Sequence, residues 1–529
     1  MLGGELSFHL LNVLLLTLLI APLVLWRYRR AVLTGMQGRG GELLPVAAPG
    51  RAPRRAEAPD AARAALQWER RMRRRVFFAV LCATFVSALP LSALFFYLED
   101  LQATPAHLYL KAGVLSSAAV PIFAVLTALP FWRALWLWLA TLVGLAAVGV
   151  VLSMLQRPFY GKAPSLDQAM NFVVFFHFAA HTLWLPMLLG LATGARRVRG
   201  VAPITFAGLL VFGLAPLLGI RLTQWLTGTG FGTTWVLSGP GLDTGFVLLA
   251  LPLGLLAWWR LKALARRYEA KRFSDAQLLA ATWWLLIVAS EAVQRISVHP
   301  AVGPLLSVLA VAALSAVMFP PLLAAGLGWA HRGVERPAPR TLLLLRVFGD
   351  TARTEALFDR IASRWRCFGP VTMIAAPDVV ARTVDPGDFL RFASGDIGAS
   401  FVATQAELNQ RLATLDCASD PDGRYRVNEF CCRDSSWQAT VVQLIERADA
   451  VVMDLRGFNA QRMGCEFELR ELAARLRGEQ VVLVVDASTD HVLLHTTLGA
   501  GWRGAIVEVP RGRVRQADAA FDALLRATA

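Results

Sequence analysis

ADAVVMDLRGFNAQRMGCEFELREL, residues 448–472, reads as a buried strand, a polar turn and a helix. Residues 450–453 are a short apolar run, the signature of a parallel strand covered on both faces. Asp454 stands at its carboxyl end. Arg456, Gly457 and Asn459 supply the turn. From Gly464 to Arg477 the period is helical: at about 100° per residue Cys465, Leu469, Leu472 and Leu476 share one face. Of the three glutamates on this helix, Glu468 flanks that face. Glu466 points away from it, and Glu471 is spaced to pair with Arg475. Ligands of open α/β sheets bind beyond the carboxyl ends of the strands. Asp454 and Glu468 are therefore the acids placed to line a crevice, against the plainer reading in which Asp454 caps a turn and Glu468 is solvated.

The surroundings repeat the pattern. Further strands are expected at 342–347, 371–375, 425–431, 481–485 and 505–509, with helices at 354–365 and 435–447, the latter capped by Asp434 or Ser435. Alternating strands and helices predict a doubly wound, mainly parallel sheet of the Rossmann or flavodoxin type over residues 338–529. That length is enough for a core of its own. In VFGDTART, residues 347–354, the first strand closes and the first helix opens, so its free N–H groups face an anion. Gly349, Asp350 and Thr351, with Arg456, Gly457 and Gly464, are the candidate ligand-contact residues. His491 and His495, four apart, have no third ligand in view and read as a surface pair.

The rest of the chain has a different composition. Of 529 residues 56% are hydrophobic and 17% charged, and the apolar ones cluster in long runs, which marks a membrane protein. Residues 338–529 hold 23 Arg, no Lys and 25 acids, so they carry −2 and the remainder carries +17 of the net +15. The basic excess belongs to the membrane half, which argues against a nucleic-acid partner and for a lipid one. Residues 1–26 read as an uncleaved anchor, because Arg27, Arg29 and Arg30 follow the apolar run instead of preceding it. Residues 27–75 read as a basic cytosolic linker, disordered at first and helical from about Ala61. Its end, RRMRRR, is placed against anionic headgroups. Residues 76–330 read as a polytopic domain with runs at 76–98, 112–129, 132–155, 170–193, 204–222, 244–259, 276–293 and 305–329. With the anchor this makes about nine spans, N-terminus outside and C-terminus inside, obeying the positive-inside rule. The expected location is a bacterial inner membrane with the C-terminal domain in the cytoplasm. Six cysteines without a CxxC spacing fit a reducing compartment.

Polar groups within the runs are few. His177 and His181, in FFHFAAH, are i,i+4 on one face and could ligate a metal or haem, or form an interhelical hydrogen bond. Glu291 and Arg295 are one turn apart and spaced to pair.

Residues 449–469 resemble the matching part of the nucleoside deoxyribosyltransferase-like group, which is related in fold to Toll/interleukin-receptor domains. The strand ending at Asp454, the turn glycine Gly457, and Gly464, Phe467 and Glu468 carry the likeness. Cys465 and Arg470 depart from it. The resemblance implies that Glu468 acts at the anomeric carbon of a ribosyl group, with Asp454 positioning the ribose. Three functions follow as expectations. The chain is a membrane-anchored sensor or effector, able to oligomerise, whose α/β domain binds a nucleotide-type ligand; or it cleaves or transfers an N-glycosidic bond of NAD or a nucleoside; or it is a transporter or channel with a regulatory tail.

Overall fold

A computed structural model describes residues 22–36, 44–46, 61–98, 105–127, 131–155, 251–298, 302–332, 338–346, 351–375, 389, 391–392, 395, 397–433, 435–508 and 516–527. The chain forms two compact units. One comprises Met1–Leu25 and Arg74–Arg332, the other Trp26–Arg73 and Gly333–Ala529.

The second unit is built on a seven-stranded sheet. Its strands are β1 (Leu342–Arg346), β2 (Val371–Ala375), β3 (Phe401–Val402), β4 (Val427–Cys432), β5 (Ala450–Asp454), β6 (Val481–Val485) and β7 (Ala505–Glu508). The order is β3-β4-β2-β1-β5-β6-β7, and every adjacent pair is parallel. The helices are α1 (Thr351–Trp365), α2 (Gln405–Ala413), α3 (Trp437–Arg447), α4 (Met463–Arg475), α5 (His491–Leu498) and α6 (Gln516–Ala527). β1, β5 and β6 are buried throughout, which is why they read as unbroken apolar runs instead of alternating. Leu343, Val451, Met453 and Leu483 pack with Cys465, Leu469 and Leu472 of α4. The chain builds outward from β1 to the β3 edge and then returns across β1 to β5. The sheet's switch point therefore lies between β1 and β5, where Arg346 and Asp454 are paired in register at the strand ends.

β3 has two residues and no sequence signal of its own. The helix after it is better marked: Thr404 accepts from Glu407 N while Glu407 accepts from Thr404 N, a reciprocal cap. The backbone N–H groups of Ala403 and Thr404, both donating to Glu407, hold its carboxyl below the usual range. α3 starts two residues later than the sequence implies, with Ser436 as its N-cap residue. The Ser436 hydroxyl donates to Val402 O at 2.6 Å and fastens β3 to the start of α3.

Residues 26–73, nearly all of them within the stretch 27–75 that reads as a linker in sequence, contribute to this unit. Residues 22–36 are helical, and Tyr28, Val32 and Met36 are buried on one stripe. Tyr28 meets the rings of Phe389 and Phe392 at 5.7 and 5.5 Å. Leu44 N donates to Ser435 O. Further on, Trp68 lies 6.1 Å from Phe368. Glu69, 3% exposed, accepts from Arg73 and pairs with Arg364 of α1 at 3.6 Å. Arg364 in turn lies 3.8 Å over the Phe521 ring.

The first unit corrects the span count. Among the described residues three helices are long and apolar enough to cross a membrane, within Gln67–Leu98, Trp132–Val151 and Leu306–His331, not about nine. The physical reasons are local. The run at 112–129 breaks at residues 117–118 into Pro105–Ser116 and Ala119–Thr127, each too short to span. In Leu251–Glu269 the apolar part gives way to Arg260, Lys262, Arg266 and Arg267. The runs at 170–193 and 204–222, most of 6–26 and the first part of 244–259 (residues 244–250) lie outside the described residues. The N-out reading rests on the arginines that follow the first run; the step from there to C-in also uses the odd count of nine, which three spans among the described residues do not bear out. Glu291 does pair with Arg295, at 3.5 Å, and also with Lys111 at 3.2 Å, all three buried. The face of Phe95 packs against both cations.

Candidate functional site

The candidate site lies at the switch point, beyond the adjoining ends of β1 and β5. Asp454, 1% exposed, points back into its own turn. Its Oδ1 accepts from Arg456 N at 3.2 Å and Nε at 2.8 Å, and its Oδ2 accepts from Arg456 Nη2 at 2.6 Å. Gly457 comes next at φ +77°, a conformation that disfavours a side chain. Phe458 is fully buried. Leu455 O accepts from Thr489 Oγ1, and Phe458 O from Asp490 N, so the turns after β5 and β6 are stitched together. A bidentate Arg–Asp pair on a fastened turn is a rigid floor. It also commits Asp454: the acid is placed at the crevice but spends its oxygens on Arg456.

Glu468 is different. It sits in the second turn of α4, about one turn on from Cys465, whose thiol donates to Arg346 O at 3.7 Å. That contact puts the start of α4 over the end of β1. Glu468 is 2% exposed, and its Oε2 is buried without a hydrogen-bond partner among the described residues. Burial pushes its carboxyl up to about 8, against the opposing pull of the Arg346 guanidinium. At neutral pH Glu468 is therefore mostly a neutral acid, with one O–H to give. Glu466 and Glu471 are occupied on the outer side of α4, with Arg470 and Arg475 respectively.

The structure thus brings Asp454, Arg456, Gly457 and Glu468 to one end of the sheet. Gly464 lies in the first turn of α4, 3.7 Å (from a would-be Cβ) to the Trp437 ring, and serves helix packing. Thr351 opens α1 at the same end. Gly349, Asp350, His177 and His181 lie outside the described residues. Arg346 is the participant that sequence reading missed. Its signal was there to be read: LLLLR ends in a charge at the height where AVVMD does.

No family model, no curated protein and no solved structure matches the chain.

The site therefore has to be judged by its own chemistry. Among the described residues no group of three or more His, Cys, Asp or Glu is placed to hold a metal. A cleft of about 300 Å³ opens at the opposite, amino end of the sheet, lined by Thr341, Pro370, Leu412, Leu444 and Arg447 among others. The last turns of α2 and α3 abut it, and their carbonyl ends disfavour an anion there. The titratable chemistry is at the carboxyl end.

Proposed function

We propose that this chain is a membrane-held sensor or effector whose α/β domain takes a nucleotide-type ligand at the β1–β5 crevice, with Glu468 as its recognition group. The observation that carries this is the Glu468 carboxyl, sealed at the switch point with Oε2 unpartnered among the described residues. A buried polar atom without a partner costs about 1–3 kcal/mol, so it is kept where a ligand satisfies it. A neutral carboxylic acid can give one hydrogen bond and accept another, which suits a ribose hydroxyl or the edge of a base. Arg346 and the start of α1 offer positive potential beside it for a phosphate. The membrane-length helices support a bacterial inner-membrane location. The free cysteines support a reducing, cytoplasmic setting for the α/β domain.

One observation favours an N-glycosidase as the second reading. A carboxyl still protonated near neutrality is what a departing base requires of a general acid. The attack itself needs an ionised, reachable carboxylate. Asp454 is bound to Arg456 and Glu468 is sealed, so binding is the better-supported role.

The test uses the full-length protein in nanodiscs with NAD, nucleosides and nucleoside mono-, di- and triphosphates. Thermal stabilisation by one class, lost in Glu468→Gln, is the expected result. Release of free base, seen by mass spectrometry and absent in Glu468→Gln, would replace this reading with the glycosidase. Stabilisation unchanged in the variant would remove Glu468 from the site.

A further inference from the structure

We propose that the paired ends of the helices Ala61–Leu98 and Val302–His331 form a clamp for anionic phospholipid headgroups, made by Arg74 and Arg332 and levelled by Trp329. The inference is independent of what the crevice binds.

The two helices run antiparallel, side by side. A Cβ on Gly326 would lie 3.0 Å from Ala79, and Ser315 donates to Ser87 O at 2.5 Å. At one end Arg75 ties them together. Its Nη1 donates to Ala330 O at 3.4 Å and to Arg332 O at 2.9 Å, and its guanidinium lies 5.9 Å from the Trp329 ring. Arg75 thus satisfies carbonyls at the end of the second helix that would otherwise lack donors. It also fixes the two ends at one level.

At that level each helix changes character separately. On the first, exposed Arg74 is followed one turn later on the same face by Phe78, 55% exposed. On the second, Trp329 is 53% exposed, and exposed Arg332 comes three residues later. Phe78 and Trp329 lie in the two stretches long and apolar enough to span a bilayer, Gln67–Leu98 and Leu306–His331; Arg74 stands in the basic end of the first and Arg332 just past the end of the second. Among the described residues neither arginine has an ion-pair partner. Two helices therefore set the boundary between apolar and cationic surface at the same height, with a tryptophan at the join. That is the arrangement of an interface with hydrocarbon on one side and phosphates on the other. Guanidinium groups suit phosphate oxygens in shape as well as charge.

Full-length protein in nanodiscs of equal parts phosphatidylglycerol and phosphatidylcholine tests this. Lipids retained on the protein are counted by native mass spectrometry. The parent should retain phosphatidylglycerol in preference. The double variant Arg74→Gln/Arg332→Gln should weaken that preference by about fivefold per arginine removed, and Arg74→Lys/Arg332→Lys should keep most of it. Equal retention of both lipids by the parent, or an unchanged preference in the Gln pair, would overturn the clamp. Should the Gln pair not fold, a salt series on the parent decides. The preference should fall as salt is raised, and a salt-independent preference would likewise overturn the clamp.

Discussion

Glu468 gives the most direct residue-scale test, because its charge state differs between the folded and unfolded chain. Its carboxyl titrates near 8 when folded and near the ordinary 4.5 when unfolded. Below pH 4.5 both states hold the proton, and burial of the neutral acid adds no pH dependence. Between 4.5 and 8 the unfolded chain has lost the proton and the folded chain has kept it. Stability must fall as pH rises through that window, by up to about 1.4 kcal/mol per pH unit, and level off above 8. A glutamine side chain cannot ionise. The thermal midpoint of Glu468→Gln relative to the parent should therefore climb from pH 5 to pH 8 and then stay flat. A difference independent of pH would mean that Glu468 is solvated and ionised. The sequence marked Glu468 by its place beside an apolar face. It could not show that Arg346 and Cys465 close over it, since that needs β1 and α4 side by side and they are more than a hundred residues apart.

Among the elements, the buried parallel strands were the most legible. Leu342–Arg346, Ala450–Asp454 and Val481–Val485 are apolar up to the charge that ends the first two, because helices cover both faces, and in a chain that alternates strand and helix a short run of this kind rarely forms anything else. The two-residue β3 had no pattern to read. The helix over residues 22–36 was legible and was missed. Tyr28, Val32 and Met36 are four apart, and so are Trp68 and Met72, but both sets lie in stretches whose arginines and prolines dominate the composition. Gly35 makes the packing of that helix testable. A Cβ placed there would lie 2.3–2.7 Å from the ring of Phe401 on the edge strand β3. In an open helix Gly→Ala gains up to about 1 kcal/mol. Here the overpacking, about 1–3 kcal/mol, should outweigh the gain. Gly35→Ala should lower the thermal midpoint and Gly35→Val should lower it further. Stabilisation by Gly35→Ala would show that the helix does not lie on β3.

For the whole molecule, the order of the chain and the order of the fold disagree, and this decides which fragment can fold. The α/β unit draws on Trp26–Arg73 as well as Gly333–Ala529, with the membrane unit encoded between them. The early segment contributes core. Trp68 is buried against Phe368, Met72 is buried one turn further on, and Glu69 places a buried carboxylate on Arg364. A fragment beginning near residue 338 loses these groups. It bares the Phe368 and Phe521 rings and leaves Arg364 without Glu69. Loss of one large buried aromatic alone costs about 3–5 kcal/mol, a large share of the roughly 5–15 kcal/mol that stabilises a domain. Residues 338–529 expressed alone should therefore aggregate or melt well below the same residues joined to 26–73. A chimera in which a flexible Gly/Ser linker of roughly 20 residues replaces 74–332 should be soluble and monodisperse. Circular-dichroism melts of the two proteins give the comparison. Trp68→Ala in the chimera should return its midpoint most of the way to that of the fragment. Equal stability of fragment and chimera would mean that residues 26–73 only lie near the sheet, and the α/β domain would then end at the boundary its sequence first implied.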